Sequence, residues 1–493
     1  MSRADAIRTV VVAGGGIVAW SAAAALKKRI PSLEVTVASC PVAAEALADR
    51  MMGTLPSVGG FHEDIGLTEE DTLVRAQSAL RIGTLFEGWS AGLPSYIHAY
   101  GAYGAPIEGA AFHQLWLRAH KLGGVESFDR FSPAAELARL GRIGSAVSDA
   151  ASAPQIGYGL HLTVGRYREL MRAYALHLGA VERPCSEVGV NLHGDSGFID
   201  TLMIDGEPLN ADLFVDCTGP AALLRSRLDS HFSDWSRWLP CDRLAFAAGP
   251  PEREVELLDR AEAIASGWRW SASSAASSSR GLAFSSAHSG DEQLVETVDG
   301  EDGCLITMRQ GRWEQPWLRN CVAIGDSAVA VEPLEWANLH LAHSQIDRMI
   351  SMMPGRDCAR IELAEYNRQC GAEAERVRDF ICMHYVTARR DEPFWKEASL
   401  IKPPDSLAHT LSLFAERGRL PFYEEETFSR DSWLAVLLGQ GFTPRRIDPL
   451  AETLPEARLR EELERHALAA RSFVAVQPAY GEFMSTLHQR MFR

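Results

Sequence analysis

Apolar positions along the chain change their period several times, and each change marks an element. TVVVAG, beginning at Thr9, is an unbroken β-branched run of the kind that fills a strand buried on both faces. Gly14-Gly15-Gly16 breaks it, and AWSAAAALKKR follows with residues that lose little freedom in a helix. LEVTVAS supplies a second strand after that helix, completing a βαβ unit. Two later apolar runs look like strands returning to the same sheet. ADLFVDCTGP ends at Asp216, Thr218 and Gly219, and CVAIGDSAVAVEPLE passes through Gly325-Asp326 into a helix start. GFIDTLMIDGE carries the Asp-Gly signature of a tight hairpin. Beyond residue 340 the helical period dominates, as in CARIELAEYNRQCGAEAERVRDFICMHYV and EARLREELERHALAARSF. SASSAASSSR, residues 271–280, has no period and reads as a flexible loop.

The glycine turn is where this pattern first meets chemistry. Strand, turn and helix in that order give meaning to the spacing Gly14, Gly16, Ala19. The glycines let the backbone turn and approach a pyrophosphate, and Ala19 lets the helix pack close to the strand. The phosphates would rest on the free N–H groups at the helix start. A turn with no ligand is the alternative. In nucleotide-binding versions an acid usually ends the second strand and holds the ribose, whereas here the end is Ala38-Ser39-Cys40. Ser39 offers one neutral hydrogen bond, which weakens adenosine binding by about 1–2 kcal/mol. The expected class is therefore α/β, with a Rossmann-like nucleotide-binding domain, a substrate layer and a mostly helical C-terminal region. Residues 1–340 form the composite part, with nucleotide-binding pieces at about 7–60, 160–225 and 315–345. Residues 341–493 pack on it as the helical region, and stretches near 157–205 and 236–310 supply the substrate side.

Composition narrows the partners. A net charge of −16 gives no basic footprint for nucleic acid. No apolar run is long enough to span a bilayer, and the N-terminal run enters the glycine turn without a signal-peptide pattern, so a cytoplasmic location is expected. The nine cysteines and fifteen histidines show no metal-ligand spacing, so thiols and no metal are expected.

Several separated stretches resemble the flavin-dependent halogenases of the tryptophan-halogenase type. They are AGGGIVAWSAAAAL, SALRIGTLFEGW, YIHAYGAYG, FHQLWLR, GWRW, NCVAIGDSAVAVEPLE, RVRDFICMHYVTARRDEPFW and SWLAVLLGQGFTP, in the family's order and spacing. The resemblance implies reduced FAD, supplied by a separate flavin reductase and reacting with oxygen and a halide to give hypohalous acid. A lysine then carries the halogen to a small aromatic substrate, such as an indole, while a glutamate assists. Asp326, Gly219 and Pro333 fall in the family's cofactor-binding stretches, together with Gly14, Gly16, Ala19 and Ser39.

The same resemblance exposes departures at the reaction centre. Glu335 keeps the glutamate, and its other reading is an acid favoured by a helix dipole. Arg81 replaces the lysine; it stays protonated and is a poor nucleophile, so an ion-paired structural role competes with a catalytic one. Trp336, Ala337 and Asn338 replace a Ser-Thr-Gly run implicated in the halide site. Trp268 and Trp270 survive from a tryptophan motif whose Ile-Pro half becomes Ala272 and Ser273. The glycine-rich strap over the flavin becomes AEALADRMMGTLP, helix-favouring and retaining only Gly53, Thr54 and Pro56. Close packing predicts that the Trp336 indole turns toward the space left at Ala272 and Ser273. Halogenation of an aromatic substrate is the first reading. A non-catalytic homologue serving as partner or regulatory subunit in a homo- or hetero-dimer, or a flavin monooxygenase, are the alternatives.

Overall fold

The first β-branched run becomes the strand Thr9–Ala13, buried from Val10 onward. It pairs in parallel with Leu213–Asp216 on one side and Glu34–Ser39 on the other. Cys321–Ala323 and Val181–Pro184 extend the sheet in parallel, and Trp317–Leu318 closes one edge antiparallel. The computed structural model describes residues 6–143, 156–290 and 303–491.

The helix Ile17–Arg29 is buried continuously from Ile17 to Leu26, which explains an alanine-rich sequence with no polar face. Small side chains let it pack closely between the sheet and the helices Val164–His177 and Asn338–Ser351. Lys27, Lys28 and Arg29 occupy its last turn, where cations suit the negative end of the helix dipole.

A seven-stranded sheet forms the second layer, ordered Cys304–Thr307, Arg243–Gly249, Ser278–Phe284, Gly267–Ser273, Leu258–Ile264, Gly83–Glu87, Tyr96–Ala99. Its existence corrects the loop expected at 271–280. That segment is a hairpin, paired from Gly267↔Phe284 to Ser273↔Ser278, with only the tip outside the ladder. Small residues serve packing there. Gly281 lies under the Trp270 ring, Ser279 Oγ accepts from Trp270 Nε1 at 3.2 Å, and Ser278 Oγ donates to the Pro250 carbonyl at 2.8 Å. A second correction concerns 157–205. Helix Val164–His177 packs beside the nucleotide sheet and strand Val181–Pro184 forms one of its edges, while Val188–Leu192 and Ile199–Ile204 join Glu207–Leu209 in a small separate sheet. The Asp205-Gly206 hairpin turn forms as expected, with both residues at positive φ.

Two large apolar cores result. One surrounds the nucleotide sheet and includes Trp20 and Ile346; the other joins the seven-stranded sheet to the C-terminal helices through Trp268, Phe380, Trp395 and Trp433. Trp336 belongs to the second and Leu339 to the first, so the turn between them bridges both. All nine cysteines are free thiols. No described helix is long and apolar enough to cross a membrane, and among the described residues no group of His, Cys, Asp or Glu is arranged to hold a metal.

Candidate active site

At the cradle, Gly14 has φ 138°, and a side chain there would strike the Cys217 carbonyl. A Cβ on Gly16 would strike the Asp49 carboxylate. Asp49 Oδ1 accepts from the Val18 N–H at 2.8 Å, so a carboxylate sits at the positive end of the helix that Ala19 packs against the sheet. Asp49 belongs to a short helix, Leu47–Arg50, which is the helix that the altered strap composition favours. Asp326 Oδ2 accepts from the Ala48 N–H of that segment at 2.7 Å. Burial pushes Asp49 up to about 6 despite the Val18 hydrogen bond. Burial also pushes Asp326 up to about 8, opposed by the Ala48 hydrogen bond and reinforced by the Asp49 charge. Gly219 (φ 86°) faces Ala43 and Ala46 of the same segment, and Ser39 ends the second strand beside Gly15.

The donor set fits a pyrophosphate. Amide N–H groups converge at a helix start, the glycines carry no side chain, and a carboxylate already stands in for the anion. Residues 43–49 hold that place now.

Past Met52 the strap is anchored rather than lifted. Thr54 N–H donates to the Leu160 carbonyl at 2.9 Å and Thr54 Oγ1 accepts from the Leu160 N–H at 2.7 Å. Pro56 begins the following helix, Ser57–Ile65. Gly53 packs face-on against the Trp336 indole, leaving no room for a Cβ. That indole donates from Nε1 to Asp259 Oδ2 at 2.8 Å and meets Trp270 edge to face at 6.1 Å. It therefore lies against the strand that carries Ala272 and Ser273, filling the space between the strap and Asp259.

Asp259 is the partner of Arg81. The guanidinium also donates to Tyr100 Oη, to the Thr54 carbonyl at 3.1 Å and to Thr84 Oγ1 at 2.6 Å, and none of it reaches solvent. Burial disfavours both charges, yet their attraction prevails: Arg81 is held above its ordinary value and Asp259 below its own. His161 Nε2 lies 3.5 Å from Asp259 on the far side.

Glu335 and Trp336 sit in consecutive left-handed conformations, φ 67° and 60°, in a turn where Trp336 N–H donates to the Pro333 carbonyl at 3.0 Å. Such backbone costs about 1–3 kcal/mol per residue and persists only where the surroundings fix it. The turn delivers the Glu335 carboxylate to two histidines. His98 Nδ1 lies 2.8 Å and His384 Nε2 3.2 Å from Oε1, while Oε2 has no hydrogen-bond partner among the described residues. His384 Nδ1 lies 2.9 Å from the Phe380 carbonyl, which orients the ring with Nε2 toward the carboxylate. Burial raises the Glu335 carboxyl, but the two histidines outweigh it and hold it down at about 2.

Trp268 Nε1 donates to Glu332 Oε2 at 3.0 Å, and Trp270 faces Trp336. Ala337 is fully buried, and Asn338 Nδ2 donates to the Val331 carbonyl at 2.9 Å. Beyond Glu335, Phe380 lies 5.8 Å from His98 and stacks on Phe428 at 3.8 Å. Phe428 and Trp433 in turn line a cavity of about 690 Å³ with Tyr423, Phe422 and Arg430.

A family model for tryptophan halogenase matches residues 9–456. The chain belongs to the tryptophan halogenase family. A flavin-dependent halogenase from Brevundimonas sp. BAL3 superposes with a TM-score of 0.91 at 32% identity, covering 98% of this chain and 99% of that one. One from Xanthomonas campestris gives 0.91 at 30%, covering 98% of each. The tryptophan 6-halogenase of Streptomyces toxytricini is 26% identical, covering 98% of each chain.

Within this halogenase scaffold, the residues singled out from sequence fall into two groups. Gly14, Gly16, Ala19, Ser39, Gly219 and Asp326 converge on the cradle. Thr54, Arg81, Trp270, Trp336 and Glu335 line one continuous packed path from strap to carboxylate. Asp49, Asp259, His98 and His384 were not singled out. His98 lies inside the YIHAYGAYG block, and Asp49 is one of two acids, with Glu45, in the strap. The strap–indole contact is testable. Gly53→Ala is expected to cost about 1–3 kcal/mol by overpacking, and Trp336→Ser in the same chain should recover most of it in thermal melts. Equal cost with and without Trp336 would show that the clash lies elsewhere.

Proposed function

We propose that this chain halogenates an aromatic substrate of the indole class, using reduced FAD from a separate flavin reductase, oxygen and a halide. The observation that carries the reading is Glu335, a buried carboxylate held ionised by two histidines with one oxygen uncommitted, behind an aromatic wall that borders a cavity. When bound, reduced FAD would activate oxygen, and oxygen supplies the oxidising power that turns halide into an electrophile. Gly14, Gly16 and Ala19 would hold the pyrophosphate and Asp326 the ribityl end, with Ser39, Thr54, Pro56, Gly219 and Pro333 around them. Trp268 and Trp270 would wall the site, and the stretch Ala337-Asn338 would hold the halide. Arg81 works through Asp259, positioning the Trp336 indole, because a saturated guanidinium neither accepts halogen nor releases a proton. Glu335 Oε2 takes the ring proton that leaves after electrophilic addition. A protonated arene is a strong acid, so a carboxylate of low basicity suffices.

The direct test combines protein, FAD, a flavin reductase with its nicotinamide, bromide and a panel of simple indoles, analysed by mass spectrometry. A monobrominated product that requires every component is expected. Failure to bind FAD at near-millimolar concentration would end the proposal.

A further inference from the structure

We infer that Asp49 is a built-in competitor of the cofactor: its carboxylate occupies the pyrophosphate position at the start of helix Ile17–Arg29 and sets how tightly FAD binds. The inference rests on the flavin reading above and adds a residue that limits affinity.

An ordinary helix cap comes from the residue just before the first turn. Here that residue is Gly16, without a side chain, and the acceptor arrives from 31 residues away on a different segment. Gly16 is the position where a side chain would strike the Asp49 carboxylate, so the close approach that serves a phosphate serves Asp49 instead. The segment is held from a second point by the proposed ribityl residue, Asp326, through the Ala48 N–H. Both anchors of the strap are thus groups that the cofactor would need. Closure also has an internal cost, because it takes two carboxyl groups out of water, and burial pushes both Asp49 and Asp326 above their ordinary values. Arg50 and Arg168 attract the Asp49 charge, while Cys40, Cys217 and Asp326 are the titratable groups that its charge disfavours in ionised form. A segment fastened by ligand-like contacts and loosened by the cost of burying its carboxylate is poised to be displaced by a stronger anion. Apparent affinity then falls by the fraction of molecules in which the segment is out.

The test uses the full chain and flavin fluorescence. Asp49→Ala and Asp49→Asn should each bind oxidised FAD at least about tenfold more tightly than wild type, whereas Asp49→Glu should not. In wild type, hydrogen exchange of residues 43–52 should accelerate on saturation with FAD, a readout independent of any variant's folding. Wild type that binds FAD while both neutral variants bind no more tightly, or exchange at 43–52 that slows or stays unchanged, would overturn the role of Asp49 and leave the flavin reading standing. Absence of FAD binding in every form would remove both.

Discussion

Glu335→Gln is expected to slow halogenation by at least about a hundredfold while the protein still folds and still binds FAD. Glutamine keeps the shape of the side chain and can accept one hydrogen bond from His98 or His384. It has no anionic oxygen to receive a proton. Oε2 is buried and has no hydrogen-bond partner among the described residues, so no neighbouring side chain stands ready to accept the proton in its place. Burial would raise the carboxyl, but the two histidines hold it down at about 2, so the base is charged across the neutral range. Its pH signature therefore lies in acid. A carboxyl with a depressed folded value adds stability that is complete above its ordinary 4.5 and disappears as pH falls toward 2. Melts between pH 5 and 2 should show that limb in wild type and a smaller one in Glu335→Gln. Turnover within a few-fold of wild type would exclude Glu335 as the base.

Arg81→Met should lower stability by about 3–5 kcal/mol, the largest structural effect expected in the site. The substitution leaves Asp259 ionised and buried, with only the Thr84 hydroxyl, the Trp336 indole and His161 beside it. Replacing both partners, Arg81→Met with Asp259→Leu, should recover a good part of the loss, because an apolar pair avoids desolvating two charges. Urea denaturation of the two single variants and the double variant measures the coupling directly. If Arg81→Met alone costs under about 1 kcal/mol, the guanidinium has an exposed, functional position that this packing does not describe.

How much of this was legible beforehand depended on how far apart the contacting residues lie. The strand, turn and helix from Thr9 to Arg29 are local, and glycine and alanine spacing announced them. Altered strap composition correctly implied a helix, and the Trp336 indole packs on Gly53, Asp259 and Trp270. The pairs that define the site are distant: Arg81 and Asp259 are 178 residues apart, His98 and Glu335 are 237. Nothing in either local pattern reveals the other partner. The Ser/Ala run failed for a different reason. Its residues lack the alternating hydrophobicity that signals a strand, because hydroxyls there bond to Trp270 and Pro250, and glycine makes room for an indole. Small polar residues in a tight hairpin look from sequence like a loop.

The two left-handed residues of the turn Pro333–Ala337 also tie two distant contacts to one stretch of backbone. Their side chains end on opposite tasks, Glu335 at His98 and His384 and Trp336 at Gly53 and Asp259. Any substitution that forces this turn out of the left-handed region therefore disturbs the seat of the carboxylate and the packing of the strap together.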